Sequence, residues 1–195
     1  MLEVVVETFL TLDGVYQAPG GPQEDAEGGF KHGGWQLPFW DDAAGKIMDQ
    51  QIAETRALLL GRKTYDIFAS YWPTSTEDPA IAEKFNTIPK YVASRTMKTA
   101  DWKGTIIIGA NLAQDVAKAK QRGDSGVLAV IGSGNLAQSL MKENLVDEYR
   151  LSIHPIMLGS GKRLFGDGVV PANLKLMNST STPSGITFLT YCPAA

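Results

Sequence analysis

Apolar runs of strand length, each followed by a stretch of helical period, constrain this chain more than any other feature. Strands are expected at Leu2–Leu10, Ala57–Leu60, Lys90–Ala93, Thr105–Ile108 and Val127–Ile131. Helices are expected between them, at about Asp41–Thr55, Lys63–Ala69, Pro79–Asn86, Leu112–Arg122 and Leu136–Asn144. In the helix near Asp41, residues Ala44, Ile47, Met48 and Ile52 recur on one face. Strands made of continuous Leu, Ile and Val, alternating with helices, bury both faces of a largely parallel sheet. The last third changes character. Asp147–Leu158, Leu174–Thr182 and Ile186–Tyr191 read as consecutive strands, with Pro183-Ser184-Gly185 as a hairpin turn. The expected fold is therefore α/β, a mostly parallel central sheet closed at one edge by antiparallel C-terminal strands. All 195 residues fit one domain, with no internal repeat and no linker.

Composition bounds the partners. A net charge of −3 and a pI near 5.4 argue against nucleic acid or an anionic membrane. Local basic clusters must then be read as sites. The single cysteine, Cys192, has no intrachain partner and reads as a tail thiol, which fits a reducing cytosol. No apolar run approaches the length of a membrane helix. The N-terminus carries acids inside its apolar stretch and reads as a first strand, with no signal peptide. A cytoplasmic location is expected.

Three strand ends carry anion-binding chemistry. At Leu58-Leu59-Leu60-Gly61-Arg62-Lys63-Thr64-Tyr65 a buried strand stops at a glycine and turns straight into a helix. Free N–H groups and the positive dipole end at a helix start favour an anion, and a guanidinium adds a bidentate phosphate clamp. Val130-Ile131-Gly132-Ser133-Gly134-Asn135-Leu136 repeats that logic about seventy residues later. Its glycines fit a loose G-x-G-x-x-A pattern, but the turn comes too late in the chain, without the following acid, for a conventional Rossmann unit. The Gly61 turn is likewise no Walker A loop. The third strand end is Tyr91-Val92-Ala93-Ser94-Arg95-Thr96, where hydroxyls and an arginine follow the strand. In an open parallel sheet these ends share the carboxyl edge, where ligands bind. Arg62, Ser94 and Arg95 together suit a phosphate monoester. Thr11-Leu12-Asp13-Gly14 ends the first strand at the same edge, although an Asp-Gly turn is also a common structural device.

A long loop from Gln17 to Pro38 interrupts the rhythm, with three glycine pairs interleaved with Phe30, His32 and Trp35. Loops of this length are functional or disordered more often than not. A lid or pocket wall is one reading, an oligomer contact another. His32 and His154 are the only histidines, and without cysteine or paired-acid spacing they make no metal site. His154 reads as structural, and Trp40, Trp72 and Trp102 as packing residues. Nothing supports a hydrolase.

Taken in order, Thr11-Leu12-Asp13-Gly14, Leu60–Tyr65, Ser94-Arg95 and Ile131-Gly132-Ser133-Gly134 resemble the dihydrofolate reductase-like superfamily. The late stretch His154-Pro155-Ile156-Met157-Leu158-Gly159-Ser160-Gly161-Lys162-Arg163-Leu164-Phe165 resembles the branch containing the C-terminal reductase domain of bacterial riboflavin biosynthesis. That resemblance implies a three-layer α/β/α fold, a homodimer, and NADPH along the carboxyl edge. It places Gly61, Arg62, Lys63 and Thr64 at a phosphate and Ser94 with Arg95 at the 2′-phosphate. Ile131, Gly132, Ser133, Gly134, Asn135 and Leu136 fall under the pyrophosphate and nicotinamide ribose, and Leu12 and Gly14 beside the nicotinamide. Asp13 is the candidate for orienting or protonating substrate, with Trp35, Asp49 and Lys162 as further substrate contacts. One departure concerns the substrate: where dihydrofolate reductases carry an acid on the first helix, this chain has Gly45.

The expected function is an NADPH-dependent reductase delivering hydride to a C=N or C=O of a small heterocycle or carbonyl compound, as in the riboflavin-pathway reductase. Dihydrofolate reduction and a non-catalytic NADPH-binding sensor are the alternatives.

Overall fold

A computed structural model describes residues 1–123, 125–166 and 169–194. The strands are β1 (Leu2–Thr11), β2 (Thr55–Gly61), β3 (Lys90–Ala93), β4 (Thr105–Ile108), β5 (Gly126–Ile131), β6 (Glu148–His154), β7 (Leu174–Ser181) and β8 (Thr187–Pro193). The helices are α1 (Asp42–Glu54), α2 (Arg62–Tyr71), α3 (Pro79–Thr87), α4 (Leu112–Gln121) and α5 (Gly134–Lys142). The strands form one sheet in the order β4-β3-β2-β5-β1-β6-β8-β7. Neighbours are parallel from β4 to β6, and β8 pairs antiparallel with both β6 and β7.

The apolar strands bury alternate residues in two layers. Val4, Val6, Leu59, Leu128 and Val130 meet α4 and α5 through Val116, Leu136 and Leu140. Val5, Leu58, Leu60 and Ala129 meet α2 and α3 through Tyr65 and Phe85. Period-two alternation with both faces apolar produces this sandwich. On the second face, α1 lies over β8 through Ala44, Ile186 and Phe188. Its start is fixed twice by Asp41, whose carboxylate accepts from Ala44 N at 2.8 Å and from Ser184 N at 3.0 Å in the β7–β8 turn. That turn uses Pro183-Ser184-Gly185, as expected.

Four details depart from the expectation. Helix α5 starts two residues early, because Gly132 (φ 57°) and Ser133 (φ 46°) adopt left-handed conformations that complete the turn at once. Strand β6 stops at His154, since Pro155 has no N–H to extend the ladder. The long loop contains two short 3₁₀ turns, Glu27–Gly29 and Leu37–Phe39. Cys192 is no tail thiol; it sits inside β8 opposite Lys175. No described helix is long and apolar enough to cross a membrane.

Two charged groups lie within this apolar frame. Lys90 is fully buried, donating to the Asn86 and Lys103 carbonyls at 3.0 and 2.8 Å above the Trp102 ring; desolvation lowers its pKa to about 8. Glu7, on β1, is 6% exposed and shares one arginine, Arg150, with Glu54 and Glu148. Arg150 stands 2.8 Å from Glu54 and 2.5 Å from Glu148 but 3.4 Å from Glu7. Burial consequently outweighs the arginine and raises the Glu7 pKa to about 7.

Candidate functional site

Neighbouring strands β3, β2 and β5 bring the three anion-receptive ends together. Gly61 pairs in register with Ala93, so Arg62 and Ser94 leave the sheet side by side. On the other flank, Gly61 N donates to Ser133 Oγ at 3.0 Å, and Ser133 N donates to Thr64 Oγ1 at 3.2 Å. Helix α2 then covers one face of the sheet and α5 the other. Adjacent strands whose following helices diverge in this way open a crevice at their carboxyl ends, the usual ligand position in open α/β sheets.

The cations of this edge are available or weakly engaged. Arg62 Nε donates to both Asp66 oxygens at 2.8 and 2.7 Å on the exposed start of α2. Such an exposed pair contributes little, so a phosphate competes with it readily. Arg95 is exposed and has no partner among the described residues. Ser94 Oγ accepts from Met97 N at 3.1 Å and shapes the turn that carries Arg95. Leu136 buries its side chain and Ile131 partly does so, leaving mainly their backbone to the turn.

The Leu12–Gly14 segment runs beside the residues after β6, with Leu12 N donating to Ile156 O at 2.8 Å. Leu12 is 66% exposed, an apolar side chain open at the edge. Gly14 turns at φ 80°. Asp13 is bound to the residues after β6. Its carboxylate accepts from Thr11 Oγ1 (2.6 Å), Gly159 N (2.8 Å), Leu158 N (3.1 Å) and Arg163 (3.1 Å). These donors, Thr11 foremost, hold it far below the usual carboxylate range. An acid so firmly ionised does not deliver a proton, and its geometry is that of a latch on the 155–163 segment.

Beside the crevice, the long loop and the 155–163 segment line a half-open cavity of about 400 Å³. Glu27, Phe30, Lys31 and His32 line one side, and Ser160 and Lys162 the other. Lys162 Nζ pairs with Asp25 and Glu27, each at 2.5 Å. Glu27 also pairs with Lys63 of the α2 turn, so one carboxylate links the cavity to the phosphate turn. The two lysines hold Glu27 well below its ordinary pKa. Phe30 packs against Gly161, where an added Cβ would stand 2.8 Å from its ring.

Two expected substrate residues are not among those lining this cavity. Trp35 is 5% exposed; its indole N–H donates to Gln17 O at 2.8 Å and its ring meets His154 edge-on at 5.1 Å. It anchors the loop from beneath, because His154 is itself boxed by Phe9, Trp35 and Phe39. Asp49 is exposed on α1 and outside the cavity lining. Gly45 lies beside the Trp40 indole, so that position offers no acid. Sequence reasoning missed Glu7 and Tyr16. An acid inside an apolar strand was a visible signal for Glu7, whereas nothing local marks Tyr16, which packs on Gly134.

The sheet order, three-layer build and strand-end turns define a dihydrofolate reductase-like fold. Residues 3–188 match the family described as the RibD C-terminal domain, and the chain belongs to it. It is 36% identical over 192 residues to the uncharacterized protein YyaP of Bacillus subtilis (strain 168), covering 96% of this chain and 93% of that one. Among solved structures, it resembles a putative riboflavin biosynthesis protein from Shewanella sp. PV-4, with a TM-score of 0.77, 21% identity and both chains covered in full. A pyrimidine reductase-like protein from Corynebacterium diphtheriae matches with a TM-score of 0.63 at 15% identity, covering all of this chain and 92% of the other.

Proposed function

We propose that this protein is an NADPH-dependent reductase acting on a C=N or C=O of a small nitrogenous heterocycle of pyrimidine type. The observation that carries the reading is the contiguity of the three strand-end turns. The β3, β2 and β5 ends lie side by side, and direct hydrogen bonds join the Gly61 and Gly132 turns. Membership in the RibD C-terminal domain family supports reduction, and the pyrimidine reductase-like neighbour agrees with the heterocycle.

The residues present fit this cofactor. Arg62, Ser94 and Arg95 would hold the 2′-phosphate, while Gly132, Ser133, Gly134 and Asn135 offer backbone N–H groups and close approach at the start of α5. NADPH, when bound, supplies the hydride; the protein contributes position and charge. The cavity beside Lys162 receives the substrate, with Phe30 and His32 as flat walls and Lys31 as a cation for an anionic group. Gly45 favours a non-folate substrate.

Replacing Arg62 by alanine tests the cofactor assignment. Loss of a charge-assisted phosphate clamp costs about 1.5–3 kcal/mol, roughly 10- to 100-fold in NADPH affinity. NADH affinity should barely change. Equal losses for both cofactors, measured by fluorescence titration, would remove the 2′-phosphate from this turn. A sensor that binds NADPH without turnover is the second reading, motivated by the firmly ionised Asp13 and the bare Gly45. Tight binding with no oxidation across pyrimidine, pterin and carbonyl compounds would favour it.

A further inference from the structure

We propose that Tyr16 is the proton donor to the reduced substrate, its phenol lying on the glycine turn and its backbone bonded to Lys162 of the cavity wall. The proposal rests on the reductase reading above and names a proton donor for it, with His32 of the cavity wall as the rival group. Reduction of C=N or C=O needs a proton as well as a hydride. Asp13 is held ionised by four donors. Glu27 and Lys162 neutralise one another. His154 is fully buried in its aromatic box.

Tyr16 touches both halves of the site. Its ring lies on Gly134, the first residue of α5, where an added Cβ would stand 2.3 Å from Cζ and 2.5 Å from the hydroxyl oxygen. A side chain at that position would displace the ring, so glycine there keeps the phenol against the turn. Its backbone N donates to Lys162 O at 2.9 Å, and the neighbouring Val15 bridges to Arg163, which fixes the tyrosine beside the cavity wall. The half-buried hydroxyl has no hydrogen-bond partner among the described residues. Its O–H is therefore not committed to another described group of the protein.

The chemistry balances with NADPH as reductant. Hydride addition to the carbon of C=N or C=O moves the π electron pair onto the heteroatom. That atom bonds to the Tyr16 proton as the phenol O–H breaks, and water then returns a proton to the phenolate. The products are the reduced substrate and NADP⁺. Three charged groups act on the phenol through space: the Lys162 ammonium stabilises the phenolate, whereas Asp25 and Glu27 oppose it. Burial, the largest influence, pushes the phenol pKa up and keeps it protonated at neutral pH.

The decisive variant is Tyr16→Phe, which retains the ring on Gly134 and removes the proton. With 5-amino-6-(5-phosphoribosylamino)uracil as probe, NADPH oxidation should fall about 100-fold or more, the scale of a lost general acid. NADPH affinity and melting temperature should stay as in the wild type. The alkaline fall in rate, as the phenol ionises, should vanish. A readout free of turnover is the ultraviolet titration of the phenol, taken as wild type minus Tyr16→Phe. Lys162→Met should move that titration upward, and NADP⁺ should shift it in the wild type.

If Tyr16→Phe keeps its rate, or His32→Gln is the variant that loses it, Tyr16 is a packing residue and the proposal falls while the reductase reading stands. If the wild type does not bind NADPH, both fall together. If it binds NADPH but leaves this pyrimidine unreduced, or if NADP⁺ leaves the phenol titration unmoved, the proton-donor proposal falls while NADPH binding stands.

Discussion

On the side of the crevice proposed for the cofactor, the turns after β2 and β5 are joined by neutral hydrogen bonds. Gly61 N reaches Ser133 Oγ at 3.0 Å, and Ser133 N reaches Thr64 Oγ1 at 3.2 Å. On the other side, charges do much of the joining: Lys162 with Asp25 and Glu27, Glu27 with Lys63, Arg163 with Asp13. Neutral bonds between turns fixed by a buried sheet resist salt and tolerate little movement. Exposed ion pairs are screened and individually weak. On the proposed function, the cofactor would meet the rigid wall and the substrate the more yielding one.

The sheet behind the rigid wall has a weak point at Glu7, which gives the largest expected effect on stability. Glu7 stands at a pKa of about 7 in the fold, against 4.5 ordinarily. The unfolded carboxyl releases its proton first, so stability falls as pH rises from 4.5 through about 7. The penalty at alkaline pH approaches roughly 3 kcal/mol at 1.36 kcal/mol per pKa unit. Glu7→Gln should therefore raise the melting temperature at pH 8, by several degrees at about 2–4 °C per kcal/mol, with little gain near pH 4. A variant less stable than wild type at pH 8 would show instead that Arg150 holds an ionised Glu7 with net benefit.

The welded turns come next. Thr64→Val preserves shape but removes the acceptor of Ser133 N–H, leaving a partly buried donor unsatisfied at a cost of about 1–2 kcal/mol. Melting temperature and NADPH affinity should both drop, and the drop should be the same at low and high salt. If calorimetry finds the variant as stable as wild type, the rigidity of this wall lies in the backbone alone.

How much of this was legible in the sequence follows the same division. Gly61, Arg62 and Gly132 announced themselves, because a strand, a turn and a helix start are consecutive residues. The order of the strand ends was reachable too, since βα alternation restricts parallel topologies to few choices. The loop-made wall was not. Nothing near Lys162 in sequence points to Asp25, and nothing near Asp13 points to Leu158 and Gly159. Trp35 misled for that reason: an aromatic among glycines resembles a ligand platform until His154 is known to lie against it. Tyr16 was invisible because its partner, Gly134, already had a role as a phosphate-turn glycine.

The smallest expected effect tests the yielding wall directly. The ion pairs from Glu27 to Lys63 and Lys162 are largely exposed, with Lys63 at 65% and Glu27 at 52% side-chain accessibility. Raising salt from about 0.1 to 1 M shortens the screening length from about 10 to 3 Å. A surface pair worth under about 1 kcal/mol then loses most of its strength, which speeds local opening by a factor of about 5 at most. Hydrogen exchange should quicken at loop amides such as Gly29 and Phe30, and at Lys162 opposite them. The Gly61 and Ser133 amides, which donate to neutral hydroxyls, should exchange at an unchanged rate. The same pattern should appear at low salt in Lys63→Met, which removes one of the two cations on Glu27. Equal acceleration at both sets of amides would mean that the two walls open as one unit.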